Sequence, residues 1–137
     1  VLAALPQDYP TRGRYERLFS EMATKLASRQ GDDGLWRASL LDPPETYTPE
    51  TSGTALFCHA MAWGVTNGLL DGATFTPVLT RAWHGLASSV NDEGLLGWVQ
   101  GIGAGPALAD ESDTAPFGTG ALLLAGSEML RLERSSE

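Results

Sequence analysis

The sequence holds a single cysteine, Cys58, among 137 residues, so no internal disulfide can form and cysteine usage leaves the compartment open. Basic residues are scarce too. Nine Lys and Arg stand against 17 Asp and Glu, a net charge of -8, and this leaves no basic footprint for nucleic acid or an anionic membrane. Long apolar runs are also missing: stretches such as Gly120 to Gly126 fall far short of the ~20 residues a membrane helix needs. The N-terminus lacks the basic start of a signal peptide, and the chain reads as soluble. No Cys or His cluster has metal-ligand spacing, since His84 has no second ligand three or four residues away, and no metal is expected.

Two motifs that promise chemistry read more simply as structure. Gly101 to Pro106, GIGAGP, lacks the G-x-G-x-x-G spacing, follows no βαβ pattern and precedes no Lys-Ser or Lys-Thr, so it reads as a tight loop. Cys58 and His59 adjoin in sequence, but helix neighbours diverge by about 100°, which leaves a core cysteine beside a helix histidine.

What is present is a hydrophobic content of 42%, enough for a sizeable core in one domain or a piece of a larger one. From Arg12 to Arg29, Tyr15, Leu18, Phe19, Met22 and Leu26 form a helical stripe opposite charged residues. Thr51 to Val65 has no charged residue, so a helix there belongs inside. Thr74 to Val90 repeats the first stripe with Phe75, Val78, Leu79, Ala82 and Leu86, Pro77 being tolerable in a first turn. Pro116 to Leu132 opens with eleven uncharged residues, a second buried helix that emerges near Glu128.

The connections repeat as well. Asp32-Asp33-Gly34-Leu35-Trp36 recurs 60 residues on as Asp92-Glu93-Gly94-Leu95-Leu96, and Ser52-Gly53-Thr54 resembles Phe117-Gly118-Thr119. Two hairpins of one half-wet and one buried helix suit an all-α fold, part of an (α/α)6 barrel with short β-hairpin loops, residues 1–137 forming one piece of a single toroid domain. A plain bundle would not need two uncharged helices among four. Such a ring needs more than two hairpins, and Val1 to Leu5 looks like the end of a helix, so the chain is expected to be an excised fragment. A partial ring leaves apolar surface uncovered, which favours a homodimer.

Trp36, Arg37, Glu50 and Thr51 precede the first buried helix, while Trp98, Gln100, Thr114 and Phe117 lie before or at the start of the second. In a ring they collect at one mouth. Aromatic faces for stacking on sugars, an Arg for a carboxylate and helix N-termini that favour anions would suit a uronate-bearing sugar. Equally, Trp36 and Trp98 could roof the core. The paired carboxylates Asp32-Asp33 and Asp92-Glu93 are of the type glycosidases use, but the glycine after each favours a turn. Asp110 to Thr114 reads as a solvated loop with a helix cap.

The segments DDGLWRASLLDP, ETSGTALF, GWVQGIGAGP and DTAPFGTGALLLAGSEML, at Asp32, Glu50, Gly97 and Asp113, span most of the chain. Together they resemble glycoside hydrolase family 105, the unsaturated rhamnogalacturonyl hydrolases, and more distantly family 88, the unsaturated glucuronyl hydrolases. The resemblance implies a six-hairpin α/α barrel that releases unsaturated uronic acid from lyase-generated pectin oligosaccharides by hydrating the C4-C5 vinyl ether, with no metal or organic cofactor. It also implies that the catalytic Asp and an RGxGW segment precede the region matched here. No catalytic residue is therefore assigned, and Trp36, Arg37, Glu50, Thr51, Gln100, Thr114 and Phe117 are expected as rim or pocket-wall residues of a fragment inactive by itself. The alternatives are a noncatalytic helical-repeat module that binds carbohydrate or protein, and another α/α toroid enzyme such as an epimerase or lyase.

Overall fold

A computed structural model of the chain describes residues 1–135. Its helices are α1 (Arg12–Ala27), α2 (Thr51–Thr66), α3 (Gly72–Ser88) and α4 (Pro116–Arg134), with one 3-10 turn at Pro44–Thr46. Each helix lies where apolar periodicity places it. The start of α3 moves to Gly72 because the Asp71 carboxylate accepts from the Thr74 amide at 2.8 Å and caps the first turn. Pro77 is consequently the sixth helical residue, beyond the first turn in which the sequence put it. Val1 to Leu5 forms a single turn closed by the amides of Ala4 and Leu5 on the Val1 carbonyl, and the Arg12 guanidinium holds it by donating to Leu2 O and Leu5 O.

The uncharged helices do go inside. α2 packs most extensively on α4, α3 lies across α2, and α1 touches the remaining side of α2. Small residues allow the close approach: Ala55, Cys58 and Ala62 of α2 and Ala125 of α4 are fully buried, alongside Met61, Leu79, Ala82 and Leu86. The stripe on α1 is only partly covered, however. Ala23, Phe19 and Leu26 meet the core, whereas Leu18 and Met22 (55% exposed) line open apolar cavities of ≈ 350 and ≈ 730 Å³. On α4, Leu123 (67% exposed) and Leu124 are likewise uncovered.

The 60-residue repeat extends to hydrogen bonds. The Gly31 amide donates to Leu35 O and Gly34 to Gly31 O; 60 residues later Asn91 donates to Leu95 O and Gly94 to Asn91 O, all four at 2.9 Å. The expected β-hairpins shrink to isolated bridges, Arg37 with Pro49 and Val90 with Leu96, and no strand forms among the described residues. Beyond the bridges the backbone groups go to separate partners, Trp36 N to Thr54 Oγ1, Trp98 N to Asp110 O and Val99 N to Asp113 O, instead of to one partner strand.

Gly34 and Gly94 both have positive φ, 82° and 81°, but differ in surroundings. A Cβ at Gly34 would lie 2.2 Å from Arg81 O on α3, while one at Gly94 meets nothing within 4 Å. Gly94→Ala should therefore cost only the left-handed backbone penalty of about 1–2 kcal/mol. Gly34→Ala should cost that plus the displacement of α3, about 1–3 kcal/mol more. Urea unfolding of the two variants checks the order, and equal losses would contradict the docking of this turn on α3.

Candidate functional site

The first turn of α2 gathers the loops. Helix starts leave amides without intrahelical partners, and here each is satisfied. Thr51 N donates to Trp98 O at 3.0 Å, Ser52 N to Glu50 Oε1 at 3.1 Å, and Gly53 N to Glu50 Oε2 at 2.6 Å. Glu50 Oε1 also accepts from Ser52 Oγ at 2.7 Å and from the Gln100 amide at 3.3 Å. Glu50 is therefore the cap of α2. The N-terminus of α2 is consequently not an open anion site, because the protein's own carboxylate occupies it.

Gln100 continues the chain of contacts. Its Nε2 donates to Gly105 O at 3.2 Å and its Oε1 accepts from Ala107 N at 3.1 Å, so one side chain closes the glycine-rich segment. Between that segment and α2 lies a cavity of ≈ 370 Å³ lined by Glu50, Ser52, Gln100, Gly103, Gly105 and Pro106, with Ala38 and Ala104.

Two expected wall residues are core instead. Trp36 is 1% exposed, its indole N–H donates to Leu26 O at 2.8 Å, and its ring meets Phe57 edge-on with centroids 5.5 Å apart. No face is left for a sugar. Thr51 is fully buried, its hydroxyl donating to Gly97 O at 2.7 Å. Both residues adjoin the mouth in sequence, but their side chains turn inward, where they join the loops to α2.

Arg37 is largely committed. Its guanidinium grips Asp33 through two bonds, NH1 to Oδ1 at 3.1 Å and NH2 to Oδ2 at 2.9 Å, so its charge is offset before any ligand arrives. Thr114 and Phe117 (44% exposed) remain open at the start of α4, which has no side-chain cap. Of the carboxylate pairs, Asp33 also accepts from Leu35 N, and the turn at Asp92-Glu93 is built on the Asn91 side chain, as the turn reading expects. Asp110 likewise organises its own loop by accepting from Ser112 N and Oγ, which holds its carboxyl below the usual carboxylate range.

Two features carry no obvious sequence signal. Ser52 belongs to the cavity wall, and Trp98 adopts φ 60°, a left-handed conformation uncommon for a bulky residue. Bonds from Trp98 N to Asp110 O and from Thr51 N to Trp98 O hold it there. Backbone strain of this kind concentrates where a side chain must be aimed.

With this geometry in hand, similarity to known proteins becomes decisive. The family model described as Glycosyl Hydrolase Family 88 matches residues 1–133. The chain belongs to that family. It is 48% identical over 134 residues to an "Unsaturated 3S-rhamnoglycuronyl hydrolase" of Formosa agariphila, covering 97% of this chain and 35% of that protein. A solved family 88 glycosyl hydrolase from Bacteroides vulgatus aligns with a TM-score of 0.88 and 37% identity, over 96% of this chain and 39% of the other. A chain described as a polysaccharide lyase aligns equally well, with a TM-score of 0.88 and 39% identity over 98% of this chain and 39% of its own. Structures described as possible family 105 members are also among the neighbours. The resemblance to the two families holds, with family 88 the nearer, at 37% identity against 25% for the possible family 105 members, and the four helices are part of an α/α toroid. The chain spans about a third of the length of the curated relative.

Cys58 and His59 separate as helix geometry requires: Cys58 is fully buried, and His59 Nδ1 lies on the exposed side, 3.3 Å from Leu124 O. Burial pushes the Cys58 thiol up to about 12, so it stays protonated and inert near neutrality. A thiol reagent should leave the folded chain unmodified and label it fully in denaturant; rapid native labelling would show that α2 is not packed as described.

Proposed function

We propose that the polypeptide carrying this chain is a hydrolase that removes unsaturated uronic acid from the non-reducing end of rhamnose-containing oligosaccharides produced by polysaccharide lyases. The observation that carries this reading is the identity to the Formosa agariphila hydrolase, whose name specifies an unsaturated rhamnoglycuronyl substrate. Sequence motifs alone suggest the rhamnogalacturonyl, pectin-derived class; the relative's name favours glycuronyl. The chemistry is hydration of the C4-C5 vinyl ether, in which an acid protonates the double bond, water adds, and the resulting hemiketal opens.

The mouth supports a binding role for these residues. A general acid must be free to give up and regain a proton, whereas Glu50 is locked by four donors and Asp33 by Arg37. Neither Glu50 nor Asp33 is therefore placed as the proton donor. Glu50 and Gln100, which line one cavity, are the wall for the oligosaccharide in this reading, with the exposed Thr114 and Phe117 at the start of α4 and a partly neutralised Arg37 as further binding residues.

The similarity to a chain described as a polysaccharide lyase favours a second reading, and one assay separates the two. The protein expressed from its complete reading frame should abolish the absorbance of the unsaturated bond in a rhamnoglycuronyl disaccharide, while residues 1–137 alone should not. A rise in that absorbance on intact polysaccharide would indicate a lyase. No change on either, with folded protein, would favour a noncatalytic binding module.

The uncovered flanks around Met22 and Leu123 also support self-association of the isolated chain, as a homodimer. Sedimentation across a concentration series tests this, and a monomer throughout would refute it.

A further inference from the structure

The faces that this chain leaves uncovered stand in register with faces that it covers. Tyr15, Leu18 and Met22 of α1 precede Phe75, Val78 and Ala82 of α3 by 60 residues each, the period of the two glycine turns. The three on α3 are buried, and that helix packs on α2. Their counterparts on α1 are exposed: Ala82 is at 0% and Met22 at 55%. One stripe has an inner helix to lie on, and among the described residues its repeat has none.

The uncharged helices show the same relation. Gly53-Thr54 and Gly118-Thr119 set their offset at 65 residues. At that offset the fully buried Cys58 of α2 matches Leu123 of α4, 67% exposed, and Val65, packed against the core, matches the exposed Leu130. In the other direction the buried Ala121 of α4 matches the exposed Leu56 of α2. α4 therefore offers the kind of face on which an α3 stripe rests, while α1 and α2 offer the kind of faces that the second hairpin turns toward the first.

We propose that these are the two halves of one interface, filled by a second copy of the chain head to tail: α4 of one copy takes α1 and α2 of the next, as α2 takes α3 and α4 within the chain. This rests on the self-association reading above and supplies its geometry. The contact continues the packing of α2 on α4 from one copy into the next and repeats an arrangement the sequence already encodes once. It is heterologous, so a pair keeps one α4 face and one α1 face free. A third copy closes the ring, since the chain spans 35% of the Formosa agariphila relative and three copies supply about the length of one such polypeptide.

The test uses the 137-residue chain and two variants, Leu123→Asp to block the α4 face and Met22→Asp to block the α1 face. Both side chains are exposed, so circular dichroism and melting temperature should stay as in the unsubstituted chain. Leu130→Asp and Leu18→Asp block the same faces should a first variant not fold. In sedimentation velocity the unsubstituted chain should pass from one copy through two to three as concentration rises, and stop there. Each variant alone should stay monomeric, because every contact needs one intact α4 face and one intact α1 face. An equal mixture of the two should form pairs holding one copy of each, and nothing larger, which no contact of like face on like face produces. Unsubstituted chains that stop at pairs or grow past three, a variant that associates alone, or a mixture of folded variants that stays monomeric overturns the head-to-tail ring and leaves self-association standing. An unsubstituted chain that is monomeric at every concentration overturns both.

Discussion

Glu50 accepts hydrogen bonds from two amides of α2, from the Ser52 hydroxyl and from the amide of Gln100. The need behind it is general: α2 is wedged between α3 and α4, so its first amides cannot turn to bulk water and require partners from the protein. Two segments meet that need: Glu50 supplies the cap and Trp98 offers its carbonyl to Thr51 N, while Thr54 Oγ1 ties in a third segment by accepting from Trp36 N at 2.9 Å. Loops that carry almost no regular structure of their own are thereby fixed to one helical turn, and the mouth inherits its shape from the start of α2.

The same tie explains which parts of the molecule the sequence discloses. Helices are legible because a 3.6-residue apolar period survives in α3 and the absence of charge marks α2 and α4. Their ends are legible to within two residues, α3 being the instructive case: the apolar stripe puts its start at Thr74, yet Asp71 is its cap and Gly72 its first residue. The repeat of the two glycine turns is legible because positive φ leaves a glycine in the text at both positions.

Side-chain direction at the mouth is another matter. Trp36 and Thr51 sit beside Arg37 and Ser52 in sequence, and which of each pair faces inward is decided by how an irregular segment docks in the first case and by the rotation of α2 in the second. Glu50 illustrates the other limit, for glutamate is not among the favoured capping residues, so nothing local announces its role. The left-handed Trp98 has no signature at all, because its conformation is enforced by Asp110 and Thr51, which lie 12 and 47 positions away. The uncovered stripe on α1 shows a further limit. Periodicity states that Leu18 and Met22 want apolar surroundings, but cannot state which segment provides them.

Charge at the mouth follows from the same economy of satisfied groups. A bidentate Arg37 and Asp33 pair, with the arginine side chain 19% exposed, loses two charge-assisted hydrogen bonds if a ligand carboxylate takes the guanidinium. An anion that took the guanidinium from Asp33 would have to replace those bonds merely to break even. Glu50 is held as well, since displacing it leaves two part-buried amides of α2 without partners, at a cost of up to about 1–3 kcal/mol each. The carboxylates here therefore shape the site and keep a second carboxylate away from α2.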